Sequence, residues 1–417
     1  MNMIKLAIRG LMRNRRRSIV TLLTIAIGFA SITLFAGYTH NVYSGLQKQA
    51  IYGELLGHLT LSKRGMSTEG KLNPVKYMLN ATDVTRITEL LLHEEHVKLV
   101  APRLSLSGLM SNGRSSTIFI ADGISPEAMQ QLQVDAMTEE EKRIYADYIK
   151  KLDATHSDSA LLSAGLADML HLKKGAQASV LTSTISGQAN ALDITVGGTF
   201  NTGNAGSNDK YMFMSLAFAQ SLYDTTGAAD RMTILLDDVN QTDAVSKHIK
   251  EKLQAAGFDI EIKTWQELSD FYNQVHNMFD MIFGFIFSIV LTVVVMSVAN
   301  SMGMTVVERT REIGTLRAIG LKRLGVVKLF TVESLMLTLL GCVAGLLLTF
   351  GLPYIVDILH LSYTPPNSVN SVRLLVDIDF ERTLFTLILM LVVGTLAAYL
   401  PARRAAQKAI IDALGHV

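Results

Sequence analysis

The sequence predicts an α-helical membrane protein with four transmembrane helices and a large external α+β domain between helices 1 and 2. Only 18% of its 417 residues are charged, whereas soluble proteins average about 25%. A spanning helix needs about 20 apolar residues, and four runs of at least that length contain no Asp, Glu, Lys or Arg: 18–39, 281–307, 334–356 and 383–402. A long polar segment separates the first run from the second, so we expect a folded domain there.

The first membrane helix is predicted over residues 18–40, and we expect it to be retained as a signal anchor. Its apolar run is longer than the roughly 7–15 residues of a signal-peptide core, and no clear small-x-small cleavage site follows it. Residues 1–17 alternate apolar and basic side chains at helical spacing. They are expected to form an amphipathic helix on the inner leaflet, to serve as a topology signal, or to do both.

Lysine and arginine residues are concentrated beside the spans in a pattern that predicts the orientation of the chain. Basic clusters precede the first span, separate the second from the third, and follow the fourth, whereas the short loop at 357–382 is mainly acidic. Because basic flanks stay in the cytoplasm, we expect both termini inside the cell, including the C-terminal segment 403–417. The domain at 41–276 then lies outside.

The external domain alternates strand and helix patterns and contains no cysteine, so it is expected to fold without disulfides. Asn112-Gly113 between two apolar runs predicts a β-hairpin. We expect two lobes, with a more helical insertion at about 125–170. Strands are predicted at 58–62, 97–110, 114–120, 178–184, 192–199, 211–214, 231–236 and 258–263, and helices at 83–93, 126–151, 160–170 and 243–256.

The first two membrane helices are predicted to continue outward as a stalk. The helical pattern that begins at Trp265 runs into the second span, 277–307, and the pattern of the first span continues past its uncharged run. Such helices could carry displacement across the membrane or simply hold the domain at a fixed height, and periodicity does not decide between these functions. The remaining spans are predicted at 326–356 and 383–402.

A short charged segment between the second and third spans, 308–325, is predicted to form a helix at the membrane surface. On that helix Ile313, Leu316 and Gly320 fall on one side, and Arg309–Glu312 forms an ion pair at i,i+3, as does Glu308–Arg311. The segment either offers charge and an apolar ridge to a cytoplasmic partner or is merely a basic loop that sets the topology.

The spans contain almost no ionisable residues, and we single out Glu333 and Asn300 as membrane polar or relay residues. Glu333 either pairs with Arg or Lys of the charged segment or is an acid favoured by the dipole near a helix N-terminus. Because charged groups in a membrane usually mark ion or substrate paths, their scarcity gives little support for a hydrophilic conduit.

The sequence ERTREIGTLRAIG, residues 308–320, resembles the coupling helix of FtsX/MacB-type permeases of ABC transporters. The family pattern also appears at 9–30 and at 401–414, although Ile410-Ile411 stands where the family commonly has a proline. Three segments, 162–182, 196–209 and 264–271, resemble the MacB-like periplasmic core domain, and most closely that of the lipoprotein-releasing LolC/LolE-like branch. The resemblance implies that the ATPase-coupling residues are Glu308, Arg309, Arg311, Glu312, Ile313, Gly314, Leu316, Arg317, Ala318 and Gly320.

The resemblance also implies a function as the permease subunit of an ABC transporter in the bacterial inner membrane. Two copies of a separate ATPase subunit would use ATP and Mg, and the second permease would be an identical or a paralogous chain. The expected cargo is a lipoprotein or other lipidic molecule of the outer leaflet of the inner membrane, passed to a periplasmic carrier or adaptor. The alternatives are mechanotransmission to a cell-wall hydrolase and MacB-like export of peptides or lipids through an envelope-spanning partner.

No catalytic or metal-binding motif is present in the sequence. A phosphate-binding loop, an H-E-x-x-H pair and a G-x-S-x-G elbow are all absent. We therefore expect no enzyme activity, bound cofactor or metal in this chain. A net charge of +1 also argues against nucleic-acid binding.

Overall fold

The computed structural model describes residue 12 and residues 14–70, 72–134, 158–364 and 371–407. The chain divides into two compact units. The helical unit comprises Met1–Tyr43, Val275–Tyr363 and Arg373–Val417, and the sheet unit comprises Ser44–Gln274 and Thr364–Val372. Most of the predicted N-terminal amphipathic segment, residues 135–157 of the predicted insertion, and the C-terminal residues from 408 onward lie outside the described residues.

The described helices follow one another along the chain with a single π-helical turn, Gln49–Gly53, after the first. They are α1 (Arg15–Lys48), α2 (Pro74–Tyr77), α3 (Ala81–Leu92), α4 (Pro126–Val134), α5 (Ala164–Met169), α6 (Leu216–Tyr223), α7 (Thr242–Ala255), α8 (Trp265–Leu268), α9 (Asp270–Glu308), α10 (Thr310–Ala318), α11 (Arg323–Ile358) and α12 (Phe380–Gln407).

The strands are β1 (Leu59–Lys63), β2 (Val97–Ser111), β3 (Ser116–Ile124), β4 (Ser159–Ser163), β5 (Gln177–Ser183), β6 (Ala189–Phe200), β7 (Tyr211–Ser215), β8 (Arg231–Leu236), β9 (Ile260–Thr264), β10 (Ser362–Tyr363) and β11 (Val372–Arg373). The first nine form one sheet in the order β3-β7-β4-β6-β5-β2-β8-β1-β9.

Among the residues that the structure describes, four helices, α1, α9, α11 and α12, are long and apolar enough to cross a membrane, as predicted. They share a core that includes Phe29, Val298, Leu337 and Met390. Small residues let α1 and α11 approach closely, because a Cβ atom added at Gly345 would lie 2.9 Å from the carbonyl oxygen of Ala26. Both α1 and α9 extend well beyond their uncharged runs.

Aromatic side chains join α1 to α9 in the part of the helical unit near Tyr43. The ring of Phe35 stacks on that of Phe283, with 6.0 Å between centroids. The ring of Tyr43 stacks on His276, with 4.3 Å between centroids, and its hydroxyl lies 3.0 Å from Asp280 Oδ1. These contacts tie the two helices that lead into the sheet unit.

Strand β2 organises the sheet unit because its two halves pair with different strands. Residues 97–103 pair with β8, and residues 104–111 pair with β3. Strand β5 also pairs with the second half of β2. Six strands therefore close into a ring around an apolar core, in the order β2-β3-β7-β4-β6-β5. The strands β8-β1-β9 extend from the first half, and α3 and α7 contribute to their core.

One local prediction for this unit is wrong, and one helix was missed. Residues 160–170 do not form one helix, because Ala160, Leu161 and Leu162 are fully buried in strand β4, and the helix begins only at Ala164. A short apolar run fits a buried strand as well as a buried helix. The helix α6 was also not predicted.

The hairpin predicted at Asn112-Gly113 is present. Gly113 has φ +83°, a conformation that favours glycine, and the Asn112 backbone N–H lies 3.1 Å from the Ser115 carbonyl oxygen.

Candidate functional site

The charged segment between α9 and α11 was predicted to form one helix over 308–325. In the structure it is divided among the end of α9, the separate short helix α10 and the start of α11. Helix α9 ends at Glu308, Arg309 leaves the helix with φ −103° and ψ 11°, and α10 occupies only Thr310–Ala318. Gly320 then adopts φ +105°, and the backbone N–H of Leu321 donates to the carbonyl oxygen of Leu316 at 3.0 Å. This glycine-terminated turn satisfies the last carbonyl groups of α10 and reverses the chain.

Arg309 joins the start of α10 to the interior of α11. Its Nε lies 2.8 Å from Glu312 Oε2, and its Nη1 lies 3.1 Å from Glu333 Oε2. The Arg309 side chain is 13% exposed and that of Glu333 only 2%, so the pair is largely shielded from solvent. Glu333 therefore pairs with the charged segment. The alternative of a dipole-favoured acid is wrong, because Glu333 lies beyond the first turn of α11.

Glu308 joins the end of α9 to the beginning of α1. Its Oε1 lies 2.5 Å from Arg17 Nη2, and its Oε2 lies 2.6 Å from Asn14 Nδ2. The sequence predicted Arg311 as its partner, but in the part of the chain that the structure describes these contacts come from α1 and its flank. Residues almost 300 positions apart cannot be paired by helical spacing alone.

Only part of the predicted apolar side of this segment points into the chain. Ile313 and Gly314 are buried, and Ile313 belongs to a core with Val306, Phe330 and Ala405. Leu316 and Arg317 are half-buried, whereas Arg311, Ala318 and Gly320 are exposed. The inward face thus attaches α10 to α11 and α12.

The most exposed large apolar side chains near α10 were not among the predicted residues. Ile319 is 80% exposed and Leu324 is 72% exposed, and Lys322 and Arg323 between them are also exposed. We call the surface formed by Ala318, Ile319, Gly320, Lys322, Arg323 and Leu324 the exposed tip. Gly320 is the sequence signal that could have predicted the exposed tip. A glycine just after a helix indicates that the chain reverses there, which leaves its neighbours outside the helix.

Asn300 and Glu333, the two polar residues singled out in the spans, differ in burial. Asn300 is exposed on α9, whereas the neighbouring Ser301 and the distant Glu333 are buried. Within the described ranges no group of three or more His, Cys, Asp or Glu side chains is arranged to hold a metal ion.

A buried ionic cluster in the sheet unit was not predicted at all. The Asp122 carboxylate accepts hydrogen bonds from the guanidinium groups of Arg103 and Arg231, the Tyr211 hydroxyl, and Ser105 Oγ, the last at 2.7 Å. Burial alone would raise the pKa of Asp122, but the two guanidinium groups hold it below its usual value. These residues are scattered along the sequence, so no local pattern reveals the cluster.

The same cluster fixes the backbone where the chain leaves the first long helix. Arg103 also donates to the carbonyl oxygen of Leu55, which follows the π-helical turn and has φ 56°. Arg103 lies where β2 passes from its pairing with β8 to its pairing with β3. The Arg103 guanidinium group therefore connects the segment just after the π-helical turn to both halves of strand β2.

Two family models match the chain. The model of the MacB-like periplasmic core domain matches residues 18–252, more than half of the sequence. The chain belongs to this family. The model of the FtsX-like permease C-terminal domain matches residues 284–410 and includes α10, the exposed tip and Glu333. The chain thus resembles ABC transporter permeases of the MacB/FtsX type in both parts, and this part of the sequence-based assignment is confirmed.

Curated relatives agree with this assignment. An uncharacterized ABC transporter permease of Methanocaldococcus jannaschii is 25% identical over 211 residues, which cover 50% of this chain and 51% of that protein. The macrolide export ATP-binding/permease protein MacB of Chromobacterium violaceum is 26% identical over 211 residues, which cover 50% of this chain and 31% of MacB. This chain spans about half or less of the length of the curated relatives it matches.

Among solved structures, the periplasmic region of MacB from Actinobacillus actinomycetemcomitans aligns with a TM-score of 0.34 and 14% sequence identity. The alignment covers 52% of this chain and 92% of that one.

Proposed function

We propose that this permease couples ATP hydrolysis by a separate ATPase to movement of its sheet unit, and that the exposed tip is where the ATPase docks. The observation that supports the proposal most strongly is the exposure of Ile319 and Leu324 beside Lys322 and Arg323. Protein interfaces commonly combine an exposed apolar centre with a charged rim. The opposite face of α10 is already buried, so the tip and the exposed side of α10 are the surfaces available to a partner.

The contacts around α10 would transmit a displacement of the exposed tip to all four membrane helices. Ile313 packs with residues of α11 and α12, Arg309 binds Glu333 of α11, and Glu308 of α9 binds Arg17 of α1. Closely packed elements transmit displacement because interiors are dense and hard to compress. In this proposal Arg309, Glu312, Ile313 and Gly314 position α10, while Arg311, Leu316, Arg317, Ala318 and Gly320 lie at or near the ATPase.

The proposed topology follows the distribution of basic residues. Both termini and the exposed tip lie in the cytoplasm, and the sheet unit lies on the periplasmic side of the bacterial inner membrane. Two ATPase subunits use ATP and Mg, and a second permease, identical or paralogous, completes the complex.

Substitutions at the exposed tip test the docking surface. Ile319→Glu and Leu324→Glu should each lower the amount of ATPase that co-purifies from native membranes at least tenfold, because a buried unpaired charge at an interface is unfavourable. Membrane insertion should be unchanged. Leu72→Glu places the same charge on a highly exposed leucine of the sheet unit and should retain the ATPase. Full retention by both tip variants would refute this docking site.

For the cargo, we propose a lipoprotein or another lipid-anchored molecule taken from the outer leaflet of the inner membrane and passed to a periplasmic carrier. The support is the resemblance of residues 162–182 and 196–209 to the LolC/LolE-like branch, together with the scarcity of ionisable groups in the four spans. Lipid or lipopeptide bound to the purified complex is the expected finding, and its absence from native preparations would count against extraction.

Mechanotransmission to a cell-wall hydrolase is the second candidate. It is favoured by the aromatic contacts between α1 and α9 and by the Arg103 tie to Leu55, which suit a complex that moves without carrying cargo. Co-purification of a hydrolase, without lipid cargo, would support it. MacB-like export is the third candidate and requires an envelope-spanning partner.

A further inference from the structure

Three consecutive arginines at the start of α1 have different surroundings. Arg17 is paired with Glu308 of α9. Arg15 and Arg16 are exposed, and the Nε of Arg15 lies 3.3 Å from the carbonyl oxygen of Met12. Neither Arg15 nor Arg16 has a carboxylate partner among the residues that the structure describes. Two guanidinium groups therefore carry a positive charge that this part of the chain does not neutralise.

The three arginines line an open pocket with a volume of about 420 Å³, together with Met12 and Asn14. This volume lies in the range of about 300–1,000 Å³ that small-molecule sites occupy. Every ionisable side chain that lines the pocket is an arginine, and a guanidinium group binds phosphate oxygens through two parallel hydrogen bonds. The pocket is therefore suited to a phosphate group.

An exposed apolar stripe on α1 begins directly beyond the pocket. Residues spaced by three or four share one side of a helix. Three exposed residues follow Arg16 at this spacing, and we call them the apolar stripe: Val20, Leu23 and Ile27. Thr21 and Ile25 follow Arg17 in the same way but are buried. A molecule that covers both the pocket and the stripe thus needs an anionic head and an apolar chain.

We propose that Arg15 and Arg16 bind the phosphate of an anionic phospholipid from the cytoplasmic leaflet, with one of its acyl chains along the apolar stripe. Residues 1–17 contain six Lys or Arg and no Asp or Glu, so the counter-charge comes from another molecule. Basic clusters beside a membrane helix attract anionic lipid headgroups. The leaflet supplies the anion and the acyl chain at the depths where the pocket and the stripe require them.

A second copy of this chain does not supply that counter-charge from its membrane helices. The four uncharged runs contain no Asp or Glu, and Glu333, beside the third run, is already bound to Arg309. The acidic surface of another protein, such as the ATPase, is the alternative occupant, and the experiment below includes it.

A lipid at this site stabilises the first turn of α1. Arg17 in that turn and Asn14 before it both bind Glu308, at the end of α9 and next to α10. Lipid binding thus supports the contact between α1 and α9. The inference rests on the proposed topology, which puts Arg15 and Arg16 in the cytoplasm, but it does not use the exposed tip.

Native mass spectrometry of the full-length permease in detergent, titrated with phosphatidylglycerol, tests the site. Arg15→Gln combined with Arg16→Gln should weaken binding about tenfold, because each basic residue at a membrane surface adds severalfold to the affinity for anionic lipid. Arg403→Gln combined with Arg404→Gln removes two exposed arginines of α12 and should change binding less than twofold. Equal effects of the two double variants would overturn the proposal.

Three further titrations identify the occupant. Phosphatidylcholine should bind at least fivefold more weakly than phosphatidylglycerol, and inorganic phosphate at millimolar concentration should not displace the lipid. Equal binding of the two lipids, or displacement by phosphate, would contradict an anionic-phospholipid site. Purified ATPase should leave the lipid bound, and displacement by it would assign the pocket to the protein.

The lipid site and the docking surface can fail separately. Ile319→Glu should lose the ATPase and keep phosphatidylglycerol. If Ile319→Glu instead keeps both, only the docking surface is refuted. If wild-type permease captures the ATPase but does not prefer phosphatidylglycerol, only the lipid site is refuted.

Discussion

The Arg309 guanidinium lies 3.1 Å from the Glu333 carboxylate and links the residue between α9 and α10 to the buried side of α11. The same guanidinium binds Glu312 at 2.8 Å and lies 5.7 Å from the centre of the Phe330 ring. One side chain thus fixes the direction of α10 relative to the membrane helices, and the first predictions concern this contact.

Charge reversal at Arg309 or Glu312 should uncouple the ATPase. In Arg309→Glu the new carboxylate faces Glu333 and Glu312, and in Glu312→Lys the new ammonium faces Arg309. We expect loss of cargo-stimulated ATPase activity, with membrane insertion intact. Glu333→Arg combined with Arg309→Glu restores an opposite-charge pair and should recover part of the stimulation. Normal coupling in both single variants would remove α10 from the mechanism.

The Arg17–Glu308 pair should affect coupling more than stability. Both side chains are about one-third exposed, and pairs of this kind contribute only about 0.2–1 kcal/mol. Arg17→Glu should therefore barely change thermal unfolding in detergent, yet reduce stimulated ATPase activity several-fold, and Arg17→Glu with Glu308→Arg should restore it. A large fall in the unfolding temperature of Arg17→Glu would indicate a structural contact instead.

Gly320→Ala should distort the exposed tip. Its φ of +105° is strained for alanine, and the substitution should cost about 1 kcal/mol or more. We expect weaker ATPase binding, measured by titrating the ATPase onto permease in nanodiscs. Gly284→Ala is the matched control, because Gly284 is in the middle of α9 with no neighbour within 4 Å of an added Cβ atom. Undiminished ATPase affinity in Gly320→Ala would show that the turn is not part of the contact.

The Asp122 cluster should make the stability of the sheet unit sensitive to acid. Burial opposes ionisation, but Arg103 and Arg231 lower the folded-state pKa of Asp122 below that of the unfolded chain. This carboxylate therefore stabilises the fold above about pH 4 and stabilises it less as the pH falls below that value. Asp122→Asn should lower stability at pH 7 by about 3 kcal/mol, because it leaves buried guanidinium groups without their acid.

Chemical unfolding of the detergent-solubilised permease at pH 7 and pH 3 measures this effect. The difference between wild type and Asp122→Asn should shrink at the lower pH. Asp209→Asn, at an exposed carboxylate paired with Lys210, is the control and should change little at either pH. A difference in unfolding free energy between wild type and Asp122→Asn that is the same at both pH values would contradict the assigned ionisation of Asp122.

Some features could be read from the sequence because they depend on local patterns. The uncharged runs located the four spanning helices, and Asn112-Gly113 located a hairpin whose turn needs a glycine at positive φ. Strand β8 was predicted with the bounds that it has in the structure, Arg231–Leu236, because an apolar run of β-forming residues ends there.

Other features depend on contacts between distant residues and were therefore missed. The face that α10 buries is decided by the core formed with α11 and α12, so periodicity alone placed Ile313 on the partner surface and left out Ile319. Arg103 meets Leu55 and Asp122 only because β2 bridges two sets of strands. Strand β4 was taken for part of a helix, since its five apolar or small residues fit either structure until their neighbours are known.

The most direct test of the central claim is site-specific photocross-linking from residue 319 in native membranes. A photoreactive amino acid in place of Ile319 should cross-link to a nucleotide-binding chain, and a cysteine there should react with a reagent supplied from the cytoplasmic side only. A cross-link to a periplasmic protein, labelling from the outside, or no cross-link to an ATPase in an assembled, active complex would contradict the account.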